Sequence, residues 1–159
     1  MRELITPTTR LREAWLDAHA EWGPGVHEDG FGLRPEDDVG SPAGFAAWIA
    51  RLAGDGGTRY RWIVDDDVVL GGIALRHGSG ELVRLAGHIG YGLRPAARGR
   101  GLGTWALGRM LDEARSLGMD RVVLVCAAGN AASRKTIEHH GGVLTERGAV
   151  LRYRIDLGG

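Results

Sequence analysis

The sequence predicts an α/β fold, a single domain in which a mixed central sheet of about seven strands carries helices on both faces. Two observations predict this fold class. Apolar strand-like runs alternate with segments whose apolar residues recur at helical spacing, in the order β-α-α-β-β-β-α-β-α-β-β. The length of 159 residues, with 43% hydrophobic and 25% charged residues, is typical of one globular domain. We therefore expect one domain over residues 1–159.

The first third of the chain predicts one strand and two helices. The run RELITPT is predicted as a strand, and Thr8 or Thr9 can cap the helix that follows it. Ser41 caps a second helix, SPAGFAAWIARL, whose proline occupies the first helical position. The residues between the helices, Gly23 to Gly40, are rich in Gly, Pro and acids and predict a long loop.

Strands and helices alternate in the rest of the chain. The runs RYRWIV and VVLGGIALR flank DDD and predict a hairpin, and GHIGYGLR predicts a further strand. A helix is predicted from Leu102 to Leu117, ending at Gly118. The wholly apolar run RVVLVC predicts a central strand buried on both faces. Asn130 then caps a last helix, and Gly148 marks the turn between two final strands.

Composition limits the partners that can be expected. Lys plus Arg and Asp plus Glu both number 20, and a formal net charge of zero disfavours nucleic acid as a partner. No apolar run approaches the ~20 residues of a membrane span, and the first residues lack the apolar core of a signal peptide. Cys126 is the only cysteine, which excludes an internal disulfide. We expect a cytoplasmic protein with no nucleic-acid and no membrane partner.

The stretch RPAARGRGLGTWAL, from Arg94 to Leu107, lies where a strand leads through a glycine-rich turn into a helix. Free amides and partial positive charge at a helix N-terminus bind anions, and glycines let a phosphate approach the backbone. The spacing alone is also compatible with a second interpretation, a mobile glycine loop whose arginines are solvated. A P-loop would end in Gly-Lys-Ser/Thr, and the third glycine comes one residue early for a dinucleotide fingerprint, so both motifs fit poorly.

The same stretch resembles the acyl-CoA-binding motif Arg/Gln-x-x-Gly-x-Gly/Ala of the GNAT superfamily of N-acetyltransferases, with Arg98, Gly101 and Gly103 at the motif positions. A second segment, GNAASRKTIEHHGG, is similar to the superfamily's Asn-x-x-Ser/Ala segment and contains Asn130 and Ser133. The resemblance is strong from about Trp62 to Ile155 and weak before Trp62.

The resemblance implies a fold whose fourth and fifth strands splay apart, with acetyl-CoA as cosubstrate in the cleft between them. It further implies that an amine attacks the thioester directly, that a main-chain N–H polarises the thioester carbonyl, and that no metal takes part. The cofactor-binding residues that it implies are Gly92, Leu93, Arg98, Gly99, Arg100, Gly101, Leu102, Gly103, Thr104, Asn130, Ser133 and Arg134.

The groups that move protons follow less directly from the resemblance. In many members of the superfamily, a tyrosine seven residues after the asparagine protonates the leaving thiolate; here that position is Ile137. The thiolate must therefore find another donor or leave unassisted. Tyr91 and His88 are the candidate catalytic residues for the base, since His titrates in the useful range and strand alternation favours Tyr91 facing the cleft. Glu81 is expected in a solvated loop, and Cys126 is disfavoured as a nucleophile because its strand is apolar.

The acceptor site remains the most open part of the interpretation. The segment HEDGFGLRPEDD carries five acids in twelve residues and either favours a cationic amine or is a solvated loop. Trp22, Phe31 and Trp48 either line an acceptor pocket or fill the core. The leading hypothesis is an acetyl-CoA-dependent N-acetyltransferase acting on a small-molecule primary amine. The alternatives are a protein or peptide N-acetyltransferase and a non-catalytic acyl-CoA-binding sensor, and a homodimer is compatible with each.

Overall fold

Seven strands and five α-helices form within residues 1–23 and 29–158, which the computed structural model describes. The strands are β1 (Arg2–Ile5), β2 (Thr58–Asp65), β3 (Val68–Arg76), β4 (Ile89–Leu93), β5 (Arg121–Ala127), β6 (Val143–Arg147) and β7 (Val150–Asp156). The helices are α1 (Arg12–Trp22), α2 (Pro42–Ala53), α3 (Glu81–Ala86), α4 (Leu102–Ser116) and α5 (Ala131–His139). A single-turn helix, Asp29–Phe31, lies between α1 and α2.

The strands form two antiparallel sheets that adjoin at β4 and β5. One sheet has the order β1-β2-β3-β4 and the other the order β5-β7-β6. The start of β4 meets β5 through an isolated bridge between Gly87 and Leu124 and through hydrogen bonds of the adjacent His88. The predicted α/β fold class and the splayed fourth and fifth strands are therefore confirmed, with the central sheet divided at the cleft.

Each face of the four-stranded sheet has its own apolar core. Trp15 of α1 and Trp48 of α2 pack in one core with Trp62 of β2. The next residue of β2, Ile63, lies in the other core together with Leu107 of α4. Successive strand residues point to opposite faces. Helices therefore cover both faces, as predicted.

Of the predicted caps, Ser41 and Asn130 lie at the starts of α2 and α5, whereas Thr8 caps a single 3-10 turn, Thr9–Leu11, that precedes α1. The side chains of Thr8, Ser41 and Asn130 each accept a hydrogen bond from a backbone amide two or three residues later. The end of α4 is followed by Gly118 with a φ of +81°, a left-handed conformation that favours glycine. These local signals depend only on neighbouring residues, which is why the sequence alone contains them.

Two elements differ from the prediction. The run predicted as a strand buried on both faces is β5, in which buried residues such as Leu124 alternate with half-buried ones such as Val125. The reason is that β5 is an edge strand of its sheet and borders the cleft. Glu81 was expected in a loop but begins α3, where Leu82 and Leu85 are exposed. Six residues are too few to show a helical period.

Candidate functional site

The glycine-rich turn predicted as a phosphate site forms an uncapped helix start; we call residues 98–104 the cradle. Gly99 and Gly101 both have a φ of +77°, which favours glycine. Gly101 is the N-cap of α4, and no side chain caps this end. The amides of Leu102, Gly103 and Thr104 therefore have no partner within the helix. Because the helix dipole adds partial positive charge here, the cradle is suited to bind an anion.

The two arginines of the cradle have different surroundings. Nε of Arg98 donates a hydrogen bond of 3.0 Å to the carbonyl oxygen of Leu93, the last residue of β4. Arg100 is exposed. Arg98 therefore braces the turn between β4 and α4, while Arg100 adds positive charge at its surface.

The backbone of β4 presents hydrogen-bonding groups to the cleft. In an antiparallel pair, alternate residues direct both N–H and C=O toward the same neighbouring strand. The amide of Arg94 donates to Leu70 O over 2.8 Å, and this bond with the β3–β4 register shows that even-numbered residues of β4 face β3. Tyr91 and Leu93 therefore direct their backbone groups toward the cleft.

The backbone of β5 follows the same alternation. The amide of Leu157 donates to Asp120 O over 2.8 Å, so even-numbered residues of β5 face β7 and Val123 and Val125 face the cleft. At Val123 the cleft is closed by His88. The His88 amide donates to Val123 O over 2.7 Å, and the Val123 amide donates to His88 Nδ1 over 2.8 Å.

Past His88 the two strand edges are open. The amides of Tyr91, Leu93 and Val125 have no hydrogen-bond partner among the residues that the structure describes. Unpaired strand edges readily accept an additional extended chain. The cleft therefore offers donors on both of its walls, and it lies between the end of β4 that leads to the cradle and the end of β5 that leads to α5.

Gly92 was predicted to bind cofactor, but its alternation directs its amide to β3. The single-turn helix Asp29–Phe31 lies on this part of the sheet, where a Cβ on Gly30 would collide with Gly72 O and a Cβ on Gly72 would lie 2.5 Å from the Phe31 ring. Gly72 pairs with Gly92, and paired residues share a face. Gly72 therefore makes room for this segment on the face that it shares with Gly92, and a contact of Gly92 with cofactor stays a prediction.

The side chain of Tyr91 points toward α4 and α5. Its hydroxyl lies 3.0 Å from Ser133 Oγ, and a Cβ on Gly103 would lie 3.5 Å from its ring. Burial raises the pKa of Tyr91 more than the hydrogen bonds to Ser133 and Thr136 lower it. The hydroxyl therefore keeps its proton at neutral pH, which suits a hydrogen-bond donor better than a base.

His88, the other candidate catalytic residue, lies where the two sheets meet. Because Nδ1 accepts the Val123 amide, the neutral ring carries its proton on Nε2. Burial, and to a smaller extent the charge of Arg76, lowers the pKa of His88 and favours this neutral form. The lone pair of Nδ1 is engaged in joining the sheets, and a catalytic role for His88 stays a prediction.

The first residues of α5 have distinct partners. Asn130 holds the turn after β5, because its amide donates to Ala127 O over 3.0 Å and its Oδ1 accepts the Ser133 amide over 3.1 Å. Arg134 was expected near the adenosine end of the cofactor. In the structure its pKa is raised, chiefly by the nearby hydroxyl of Tyr153. The predicted cofactor contacts of these α5 residues stay predictions.

Two positions considered for chemistry lie in the core. Ile137, at the position where the resemblance implies a tyrosine, is 1% exposed. Cys126 is buried, and burial raises the pKa of its thiol. A protonated, buried thiol is a poor nucleophile, in agreement with the sequence analysis, which disfavoured Cys126 in this role.

In the acidic segment before α2, the last two carboxylates make contacts within the fold. Asp37 pairs with Arg51, and Asp38 accepts a hydrogen bond of 2.8 Å from the Ser41 hydroxyl. Residues 27–28 of the segment lie outside the described residues. Of the aromatic residues considered for an acceptor pocket, Phe31 and Trp48 are buried in the core, while Trp22 is half-buried with its ring 5.2 Å from that of Phe31.

One neighbour of the cradle was missed by the sequence. Glu21, in the last turn of α1, accepts hydrogen bonds from the Ala96 amide over 2.7 Å and from Arg94 Nε over 3.2 Å. Glu21 and Arg94 are 73 positions apart, and no local pattern pairs residues at that separation.

Within residues 1–23 and 29–158, no three His, Cys, Asp or Glu side chains are grouped so that they would hold a metal ion. The same part of the chain contains no helix with the length and apolar character needed to cross a membrane. Metal-free chemistry and cytoplasmic location stay predictions.

Residues 10–143 match the family described as the acetyltransferase (GNAT) domain. The chain belongs to the GNAT acetyltransferase family. The match includes the cradle, both walls of the cleft and α5, so the resemblance predicted from the two motifs is confirmed.

Individual GNAT proteins resemble the chain to different extents. The mycothiol acetyltransferase of Beutenbergia cavernae is 37% identical over 86 residues, which are 50% of this chain and only 27% of that protein's length. Mycobacterium smegmatis RimJ, solved in complex with CoA-disulfide, has a TM-score of 0.76 at 19% identity and covers 98% of this chain and 81% of its own. A Salmonella typhimurium acetyltransferase that modifies the N-terminal serine of a ribosomal protein has a TM-score of 0.66 at 17% identity, covering 98% and 94%. At these identities the two structures show a shared fold.

Proposed function

We propose that this chain is an acetyl-CoA-dependent N-acetyltransferase that transfers an acetyl group to the primary amine of a small molecule within a ternary complex. The observation that carries the proposal is the uncapped start of α4 beside a cleft with two open strand edges. A phosphate-bearing ligand with an extended, amide-containing arm complements both features, and acetyl-CoA is such a ligand.

The cradle binds the pyrophosphate in this proposal. Its donors are the amides at the start of α4, and Arg98 and Arg100 add positive charge beside them. The arm of the cosubstrate adds to the open edges as a strand would, bonding the amides of Leu93 and Val125. The α5 residues Asn130, Ser133 and Arg134 border the other end of the site and complete the proposed contacts.

The backbone and side chain of Tyr91 have separate proposed tasks. Its N–H polarises the thioester carbonyl as the amine attacks the carbonyl carbon. Water takes one proton from the ammonium to give the free amine; the C–N bond then forms, the C–S bond breaks, and the second nitrogen proton passes through water to the CoA thiolate. The Tyr91 hydroxyl, paired with Ser133, donates a hydrogen bond to the departing thiolate and replaces the tyrosine that is absent at Ile137.

Binding of acetyl-CoA tests the donor half of the proposal, with Gly101→Glu and Gly118→Glu as matched variants. Both glycines have left-handed φ values, both have open space around a Cβ, and they lie at opposite ends of α4. The two variants therefore introduce the same charge and the same strain. Isothermal titration should show a loss of roughly 100-fold in acetyl-CoA affinity for Gly101→Glu, from repulsion of phosphate and loss of the turn, and little change for Gly118→Glu. Equal affinity in the two variants, or no wild-type binding at tens of micromolar, would refute the cradle.

Turnover separates the proposed enzyme from the two alternatives. Release of free CoA thiol with small primary amines supports a small-molecule acceptor, whereas release only with peptides indicates the activity described for the Salmonella neighbour. Binding of acetyl-CoA with no thiol release from either class supports the sensor, an alternative that the buried Ile137 keeps in consideration.

A further inference from the structure

An acidic side chain lies directly against the turn that leads into the cradle. One carboxylate oxygen of Glu21 accepts the Ala96 amide at 2.7 Å, and the other accepts Arg94 Nε at 3.2 Å. Ala96 precedes the cradle by two residues. Glu21 is thus the contact by which α1 holds the backbone of this turn.

The guanidinium of Arg94 connects the same place to the sheet. Its side chain is 11% exposed, and it donates to Asp17 Oδ2 over 2.9 Å and to Val69 O over 3.2 Å. The charged group is therefore fixed by α1 on one side and by β3 on the other. Glu21 and Asp17 are one helical turn apart and share this guanidinium, but Asp17 does not contact the turn.

The charge of Glu21 is unfavourable for the proposed ligand. A carboxylate repels phosphate, and its effect on a partly exposed site extends over about 10 Å at ordinary ionic strength. If Glu21 acted through charge alone, its removal would strengthen acetyl-CoA binding. If it acts by holding the turn, its removal would weaken binding. The two roles therefore predict opposite signs.

We propose that Glu21 is a positioning residue for acetyl-CoA, fixing residues 95–97 so that the amides of the cradle converge on the pyrophosphate. The inference rests on the proposed function, since it assumes that the cradle binds acetyl-CoA. Glu21 does not contact the ligand. It acts through the Ala96 amide and through the Arg94 guanidinium.

The test compares Glu21→Ala with Asp17→Ala, using isothermal titration of acetyl-CoA and urea unfolding without ligand. Both variants remove one negative charge that pairs with Arg94, but only Glu21→Ala frees the turn. We expect Glu21→Ala to bind acetyl-CoA about tenfold more weakly, because a charge-assisted hydrogen bond to the turn is lost. Asp17→Ala should bind within about twofold of wild type or more tightly, because only charge is removed.

Each result bears on the proposal. Equal or tighter acetyl-CoA binding by Glu21→Ala would overturn it, even if that variant is less stable, because the contact would then serve the fold alone. If Glu21→Ala does not fold, Glu21→Met replaces it; this variant keeps the length of the side chain and removes both oxygens that hold the turn. Weaker binding by Glu21→Met than by wild type supports the positioning role, and equal or tighter binding overturns it. Failure of the wild type to bind acetyl-CoA would instead refute the proposed function.

Discussion

Tyr91 has a backbone role and a side-chain role in the proposed site. Its backbone faces the cleft, while its hydroxyl lies 3.0 Å from Ser133 on α5. The sequence identified Tyr91 as a candidate base from alternation along the strand. Its raised pKa argues for a donor in place of a base, and this could not be predicted because it depends on packing against α4 and α5.

Replacing Tyr91 with Phe tests this donor role. We expect kcat to fall roughly 10- to 100-fold with an amine that the wild type acetylates, since the thiolate loses a hydrogen-bond donor. The affinity for acetyl-CoA should stay within about twofold, because the backbone N–H is retained.

The control is Tyr60→Phe, which removes a hydroxyl that lies 3.3 Å from an Asp55 oxygen and outside the cleft. Its kcat should match the wild type. An unchanged kcat in Tyr91→Phe would show that the thiolate leaves without help from this side chain.

At the scale of elements, a bound acyl-CoA arm would protect the amides on the open edges of β4 and β5 from solvent. Hydrogen exchange measured amide by amide should show Tyr91, Leu93 and Val125 exchanging quickly in the free protein and much more slowly with acetyl-CoA. Gly90 and Gly92 are the internal controls, because their amides face β3 and should be protected in both states. Equal protection of odd and even residues of β4 would contradict the deduced alternation.

Elements were predictable where the signal was local. Ser41, Asn130 and the glycine after α4 marked helix ends correctly, while Thr8 caps the short 3-10 turn before α1. The apolar run of β5 predicted a strand but not its edge position, because an edge that borders a cleft and an interior strand have similar composition.

The site, like the elements, was predictable only where the signal came from neighbouring residues. The cradle followed from the glycines and the helix after them, whereas the contact of Glu21 with Ala96 and the seat of the Asp29–Phe31 helix join distant segments. Such contacts are decided by the packed fold.

At the scale of the whole molecule, His88 is the side chain that joins the two sheets. Its folded-state pKa lies below the ordinary value of 6.5, chiefly because of burial. The unfolded chain therefore binds more protons than the folded one just below this pH. The stabilisation from His88 is complete above 6.5 and is lost as the pH falls below it.

The variant His88→Asn tests this linkage, because an Asn oxygen can accept the Val123 amide without titrating. In urea unfolding between about pH 7.5 and about pH 5.5, the wild type should lose more free energy of unfolding than His88→Asn. His139→Asn, at an exposed histidine, should follow the wild-type pH dependence. Parallel curves for wild type and His88→Asn would mean that His88 titrates alike in both states.

The place where the Asp29–Phe31 helix meets Gly72 sets a rule for exchanging segments between related acetyltransferases. The segment rests on bare backbone, so a donor segment must itself present a glycine where Gly30 lies, and the recipient sheet must keep glycine at position 72. A transplanted segment that lacks this glycine would be lifted off the sheet and would lose the burial of its Phe31 equivalent. Whether a segment fits this sheet therefore depends on two glycines that lack a Cβ, and a comparison of overall sequence identity would overlook them.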